Sequence, residues 1–364
     1  GLGYTSTKHI AESIKNNKNI KIYIKKTFTI GLFFSLISSI TVFAFSNYIA
    51  IELYNAPKLK DFILYISIWV VFNTLSIIQI GVISGFGEYK IMAKINTTVG
   101  IVSFLLNIIL TLLYQLQGAI IALVISQVLN WLLYYKELLR LVKIIEKGKE
   151  KENNITIKSI IKYSLPIALQ EIIYSATNWV TFIIVIQNSS YIQLGIYNAA
   201  LQWSTIVLFL PGVLRNVVLS NLSKAVGDDK NVIVSKMIKL NLLSTIIPVI
   251  VIILLLDFIV GFYGVSFIGL KSALFFSLIS SIFASVSIIY SQVYMSLNKN
   301  WLMLFFRVVR DLTLIIITLV LLKSNFQIGG AMSLIFSTLF SHLIFMIVIV
   351  LTHSLYLKKI NKYD

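Results

Sequence analysis

The sequence predicts an all-α polytopic membrane protein with ten transmembrane helices, and three observations carry that reading. First, 58% of the 364 residues are hydrophobic and 12% charged, and the mean hydropathy is +0.89; a soluble globular domain does not reach these values. Second, short polar breaks separate apolar runs of roughly 18 to 25 residues, the length a helix needs to cross about 30 Å of hydrocarbon. Third, a stretch such as Thr245 to Val260 lacks the period of two that a transmembrane barrel strand requires.

Taken in order, the helices are expected at 27–50, 62–84, 95–114 and 118–135, then at 163–186, 195–218, 237–260, 270–296, 300–322 and 329–351. The break at 136–162 is charged and rich in Lys, Glu and Asn, as a linker between two bundles would be. It separates an N-terminal bundle, 1–135, with four helices from a C-terminal six-helix bundle, 163–364.

Lysine and arginine sort between alternate loops. One set holds Lys8 through Lys26, Lys90 and Lys94, the 136–162 run, Lys224 to Lys239, Lys299 and the Lys358, Lys359 and Lys362 tail; the other holds only Lys58, Lys60, Lys271 and Lys323. Basic loops stay cytoplasmic, so both ends of the chain are expected there. Topology and attraction to anionic lipid headgroups therefore account for the net charge of +17, and no nucleic-acid partner is implied. With no cysteine and three histidines, neither disulfides nor a metal centre are expected. No nucleophile triad or phosphate loop is present, so the reading is a non-enzyme without a cofactor.

Two halves of a transporter often repeat. An offset of 212 sets Lys18-Asn19-Ile20 on Lys230-Asn231-Val232, Ser84 on Ser296, and Gln117-Gly118-Ala119-Ile120 on Gly329-Gly330-Ala331-Met332; with a short gap, Leu53-Tyr54-Asn55 falls on Phe262-Tyr263-Gly264. Equivalent helices share orientation, so the repeat is parallel. The same offset places the counterpart of the C-terminal bundle's start about 60 residues ahead of Gly1, room for two helices. The expected parent has twelve helices in two parallel-repeat six-helix bundles, with the substrate path between them.

Several strings carry a resemblance. They are Gly1-Leu2-Gly3-Tyr4-Thr5-Ser6-Thr7-Lys8, Asn55-Ala56-Pro57, Gln79-Ile80-Gly81 with Gly85, Ala93-Lys94-Ile95-Asn96 and Leu116-Gln117-Gly118-Ala119. The second half adds Tyr163-Ser164-Leu165-Pro166, Tyr197-Asn198-Ala199-Ala200-Leu201-Gln202-Trp203, Phe209-Leu210-Pro211-Gly212-Val213-Leu214 and Ser291-Gln292-Val293. In this order they resemble the O-antigen flippases, the polysaccharide branch of the multidrug, oligosaccharidyl-lipid and polysaccharide exporter superfamily, without that family's first two helices. The resemblance implies a multi-pass protein of the bacterial inner membrane. Its implied substrate is an undecaprenyl-diphosphate-linked oligosaccharide, flipped toward the periplasm for lipopolysaccharide or a related surface polysaccharide. Membrane lipids are partners, and other polysaccharide-assembly membrane proteins stay open as partners. A multidrug or cation antiporter of the same superfamily is the alternative.

A diphosphate crossing hydrocarbon needs cations, and its sugars need amides or hydroxyls. On the fifth helix Glu171, Tyr174, Ser175 and Asn178 share one face. On the sixth, Asn198, Gln202 and Thr205 form a similar stripe, and Pro211 bends the helix ahead of Arg215. Arg307, Arg310 and Asp311 lie inside the ninth, with Arg307 and Asp311 spaced as an i, i+4 pair; their repeat counterparts Ile95, Thr98 and Val99 are uncharged. Arg215, Arg307 and Arg310 are thus candidate headgroup ligands, and Asn178, Asn198 and Gln202 candidate substrate ligands. Glu171 and Asp311 are candidate ion-coupling carboxylates. Competing readings stand beside these: Arg215 and Arg307 snorkel to headgroups, Glu171 pairs structurally with Arg215, and the amides join helices.

Overall fold

The computed structural model describes residues 1–16, 19–53, 57, 59–145, 156–225, 229–264, 267–323 and 329–357. Lys18, the Tyr54-Asn55 match, the middle of the 136–162 break and the lysines of the tail lie outside them. The described chain is helical: α1 Leu2–Lys15, α2 Ile20–Ala44, a π-helical turn Tyr48–Leu53, α3 Leu59–Phe86, α4 Tyr89–Ile145, α5 Ile157–Asn188, α6 Tyr191–Val207, α7 Phe209–Lys224, α8 Asp229–Leu254, α9 Leu256–Gly261, α10 Leu270–Ser296, α11 Asn300–Lys323, α12 Gly330–Thr352, and a second π turn His353–Leu357.

Every expected span has a counterpart. Among the described residues seven helices are long and apolar enough to cross a membrane, and α6 with α7, bent by 48°, makes an eighth span. The long α4 is two helices: Gln115 (φ 52°, ψ −133°) breaks it, and the chain folds back on itself. Gly118 meets the Leu110 carbonyl and Tyr134 donates to Asn96 Oδ1 at 2.8 Å, whereas a straight helix would hold residues 110 and 118 about 12 Å apart. The ninth expected span, α11, has 24 residues, and its Arg307, Arg310 and Asp311 dilute the apolar signal.

Two elements differ from expectation. The 136–162 break is not loop throughout, because α4 runs to Ile145 and α5 starts at Ile157. Leu138 and Leu141 are buried in the core while Arg140 pairs with Glu137 at 3.2 Å on the outer face, so the charges that suggested a linker are one side of an amphipathic extension. Nor was α1 expected as an element. The repeat explains it: an offset of 212 carries α1 to 214–227, close to α7, and carries α3 to 271–298 against α10, Leu270–Ser296. The halves of α4 land on α11 and α12 in the same way. The helix ends match too, since Ile83 O accepts from Glu88 N and Tyr294 O from Lys299 N, with left-handed Gly87 (φ 86°) and Asn298 (φ 59°) at the turns. This is the Schellman closure, which satisfies terminal carbonyls.

The chain divides into two compact units, Gly1–Ser164 and Leu165–Asp364. In the first, α1 lies against α3 with backbone touching backbone: a Cβ on Gly81 would stand 2.2 Å from Gly3 O, and one on Gly85 would stand 2.9 Å from Thr7 O. Gly81 and Gly85 are four apart, the small-residue spacing that lets membrane helices approach. Lys8, counted in the sequence as a loop lysine, is fully buried in α1, 3.5 Å from Glu12 and 4.9 Å from the Tyr163 ring centre. His9 also packs on Tyr163.

The second unit is built the same way around hydroxyls. Ser204 and Ser277 are hydrogen-bonded at 2.6 Å between α6 and α10, Asn241 donates to Ser285 O at 3.1 Å, and Tyr294 donates to Ile349 O at 3.0 Å. Large apolar side chains face outward, with Leu254 and Phe258 exposed. Lipid is as apolar as leucine, so small and polar contacts hold such helices together. Gln193 Oε1 accepts from Ala331 N at 3.0 Å and so caps α12; Gly329 permits it, because a Cβ there would stand 2.8 Å from that oxygen. Gln193→Ala is expected to cost about 1 kcal/mol, read as a lowered Tm of the purified protein. An unchanged Tm would mean the cap is not stabilising.

Candidate functional site

The second unit encloses a cavity of about 170 Å³ lined from α5, α6, α10, α11 and α12. Helix periodicity delivers each wall. From α5 come Tyr174, Thr177 and Asn178; from α6 Tyr197, Leu201, Ser204 and Thr205; from α10 Ser277, Ser280, Ser281 and Ala284. Arg310, Asp311 and Leu314 close it from α11, and Thr338 and His342 from α12. The walls are mostly hydroxyls, with one amide, one imidazole and one ion pair. His342 Nδ1 lies 3.0 Å from Ser280 Oγ.

Arg310 and Asp311 are 7% and 2% exposed. Arg310 Nε donates to Asp311 Oδ1 at 2.7 Å, and Nη2 donates to the same oxygen. Asp311 Oδ2 is buried and has no hydrogen-bond partner among the described residues. The carboxylate thus pairs with its chain neighbour rather than with Arg307 one turn back, which corrects the i, i+4 pairing expected from spacing. Arg307 turns instead to Tyr174, over whose ring it sits at 5.1 Å, with Arg310 at 5.7 Å from the same ring and 5.4 Å from Phe345. A ring's negative face is the natural seat for a weakly hydrated guanidinium. Arg307 Nε is buried without a hydrogen-bond partner among the described residues, and Glu171 is within electrostatic reach of Arg307.

Of the residues singled out in the sequence, the fold brings Arg307, Arg310, Asp311, Tyr174 and Asn178 to one place. Glu171 is exposed on α5, within electrostatic reach of Arg307. Asn198 and Gln202 are exposed on α6, on the face beside the one that lines the cavity. Arg215 is on α7, away from the cavity wall, its Nε buried without a hydrogen-bond partner among the described residues. Sequence reasoning passed over Tyr197, Ser277, Ser280, Ser281, Thr338 and His342. The signal was there: Ser277, Ser280, Ser281 and Ala284 fall at i, i+3, i+4 and i+7, a stripe of small residues in an apolar run. Among the described residues no three His, Asp or Glu side chains converge as a metal would require.

The profile of a family described as polysaccharide biosynthesis protein matches residues 11–255. No curated protein matches the chain. Among solved structures it is similar to the MATE transporter ClbM in complex with Rb+, at 12% identity and a TM-score of 0.77, covering 100% of this chain and 85% of that one. It is similar also to MATE in the bent conformation, at 15% identity and a TM-score of 0.80, over 100% and 85% of the two chains. A third is the outward-facing conformation of a multidrug resistance MATE family transporter of the MOP superfamily, at 14% identity and a TM-score of 0.80, over 100% and 84%. At such identities the likeness establishes the fold.

Proposed function

Because the chain belongs to the polysaccharide biosynthesis protein family and has the fold of MOP-superfamily transporters, we propose that it flips undecaprenyl-diphosphate-linked oligosaccharide from the cytoplasmic to the periplasmic leaflet of a bacterial inner membrane. One observation carries the reading: half-buried Arg307 and buried Arg310 both pack on the Tyr174 ring beside a hydroxyl-lined cavity, and among the described residues only Arg310 has a contacting counter-ion. Arg307 is the cation left to meet a diphosphate oxygen, by a charge-assisted hydrogen bond from the Nε that lacks a protein partner. The cavity has room for about five waters, so it takes a phosphate-sized group rather than the sugar chain. Asn178 and the surrounding hydroxyls offer further donors, while Asn198, Gln202 and Arg215 act away from this cavity. Asp311 and Glu171 are the coupling carboxylates in this reading. The positive-inside distribution supports a cytoplasmic position for both ends of the chain in this reading.

Expression in a strain whose own polysaccharide flippase has been deleted tests the proposal. Restored surface polysaccharide is the expected result, and drug efflux without it would favour the antiporter. Arg307→Ala is expected to cut the rescue by about tenfold or more, the loss of one hydrogen bond to a charged group, with undecaprenyl-linked intermediates accumulating. The variant should insert normally, since it strands no buried counter-ion. Full rescue by Arg307→Ala would return this arginine to snorkelling.

A further inference from the structure

Away from that cavity, where α8 begins, two adjoining hollows of about 360 and 480 Å³ share Asn231, Ser235 and Lys239. Lys236 lines one; Tyr290 and His353 wall the other. We propose that this groove binds the phosphate headgroup of an anionic phospholipid.

Three features of the groove support this. Its charge has one sign: the linings contain two lysines and no carboxylate, and among the described residues neither lysine forms an ion pair. Its depth is right: Lys239 is the last charged residue before α8 turns apolar at Leu240, so the groove sits at headgroup level and the acyl chains below it meet Leu240, Leu243 and Ile247, all exposed. Its base is amphipathic and firm. Val234 is buried with Val218, Leu222, Ile289 and Val293, and Ile238 packs on the same cluster. Opposite, the Tyr290 and His353 rings meet edge to face at 5.2 Å. His353 opens the π turn His353–Leu357 that follows α12. Basic pockets between membrane helices at this level suit phospholipid phosphates, and aromatic rings with a polar edge suit the same depth.

The test is a titration of phosphatidylglycerol, phosphatidylcholine and inorganic phosphate into the purified full chain, with bound lipid read by native mass spectrometry and stability by Tm. Phosphatidylglycerol is expected to bind and raise the Tm, while phosphatidylcholine and inorganic phosphate leave it unchanged. Lys236→Gln with Lys239→Gln should weaken phosphatidylglycerol binding by about tenfold or more, with the lipid-free Tm unchanged. Lys90→Gln with Lys94→Gln, two exposed lysines elsewhere, should leave binding intact. Equal weakening by both pairs would reduce the effect to general surface charge and overturn the site. A Tm rise with inorganic phosphate alone would overturn the lipid as its ligand, and unchanged binding in the first pair would overturn the groove.

Discussion

Arg310→Leu is expected to destabilise the protein by about 3–5 kcal/mol, the cost of removing one partner from a buried ion pair. Asp311 is 2% exposed and its Oδ2 has no partner among the described residues, so losing Arg310 leaves a buried carboxylate without its counter-ion. The double variant Arg310→Leu with Asp311→Leu is expected to recover most of that loss, because two apolar groups of similar volume cost little where an ion pair stood. Thermal unfolding of the three proteins in detergent measures the stability, and the polysaccharide rescue assay measures transport. A stable but inactive double variant would give the pair a part in transport. A stable and active one would make it structural and leave the headgroup to Arg307. If Arg310→Leu alone is as stable as the parent, the buried pair described here is wrong.

Gly118→Ala is the second large effect. Its Cβ would stand 1.8 Å from Leu110 O and 2.4 Å from Leu110 C, and both atoms are backbone, so no side chain can swing aside. Relief requires opening the turn that Gln115 sets, and the cost should lie at or above the usual overpacking range of about 1–3 kcal/mol. Gly100→Ala, in the same α4, is the control. Nothing lies within 4 Å of its added Cβ, and an exposed helical glycine gains up to about 1 kcal/mol as alanine. Folded yield and Tm should therefore fall for Gly118→Ala and rise for Gly100→Ala, and parallel behaviour of the two variants would refute the fold-back at Gln115.

Much of the architecture could be read from the sequence because apolar length is a direct physical requirement of a bilayer. Ten runs of sufficient length became helical segments, and the offset found in Gly118 and Gly330 proved to be a correspondence of helix boundaries. Charge was the less reliable guide. Lys8 and the Lys136 to Lys143 stretch read as loop, yet a helix can hide one basic side chain against a ring and display others on its outer face. The same ambiguity applied to Arg307 and Asp311, whose spacing allowed a pair that Arg310 made instead.

What the sequence by itself determined is the number of membrane-crossing segments, their parallel repeat, and the presence of Arg307, Arg310 and Asp311 within one of them. Only the tertiary structure decided which of these meet. Tyr174 lies 133 positions from Arg307, and Ser280 lies 62 from His342; no local period encodes such distances. Serine is also nearly silent in a hydropathy profile. In a membrane protein it is the packing of helix on helix, with lipid outside and hydroxyls within, that turns scattered serines into the wall of a cavity.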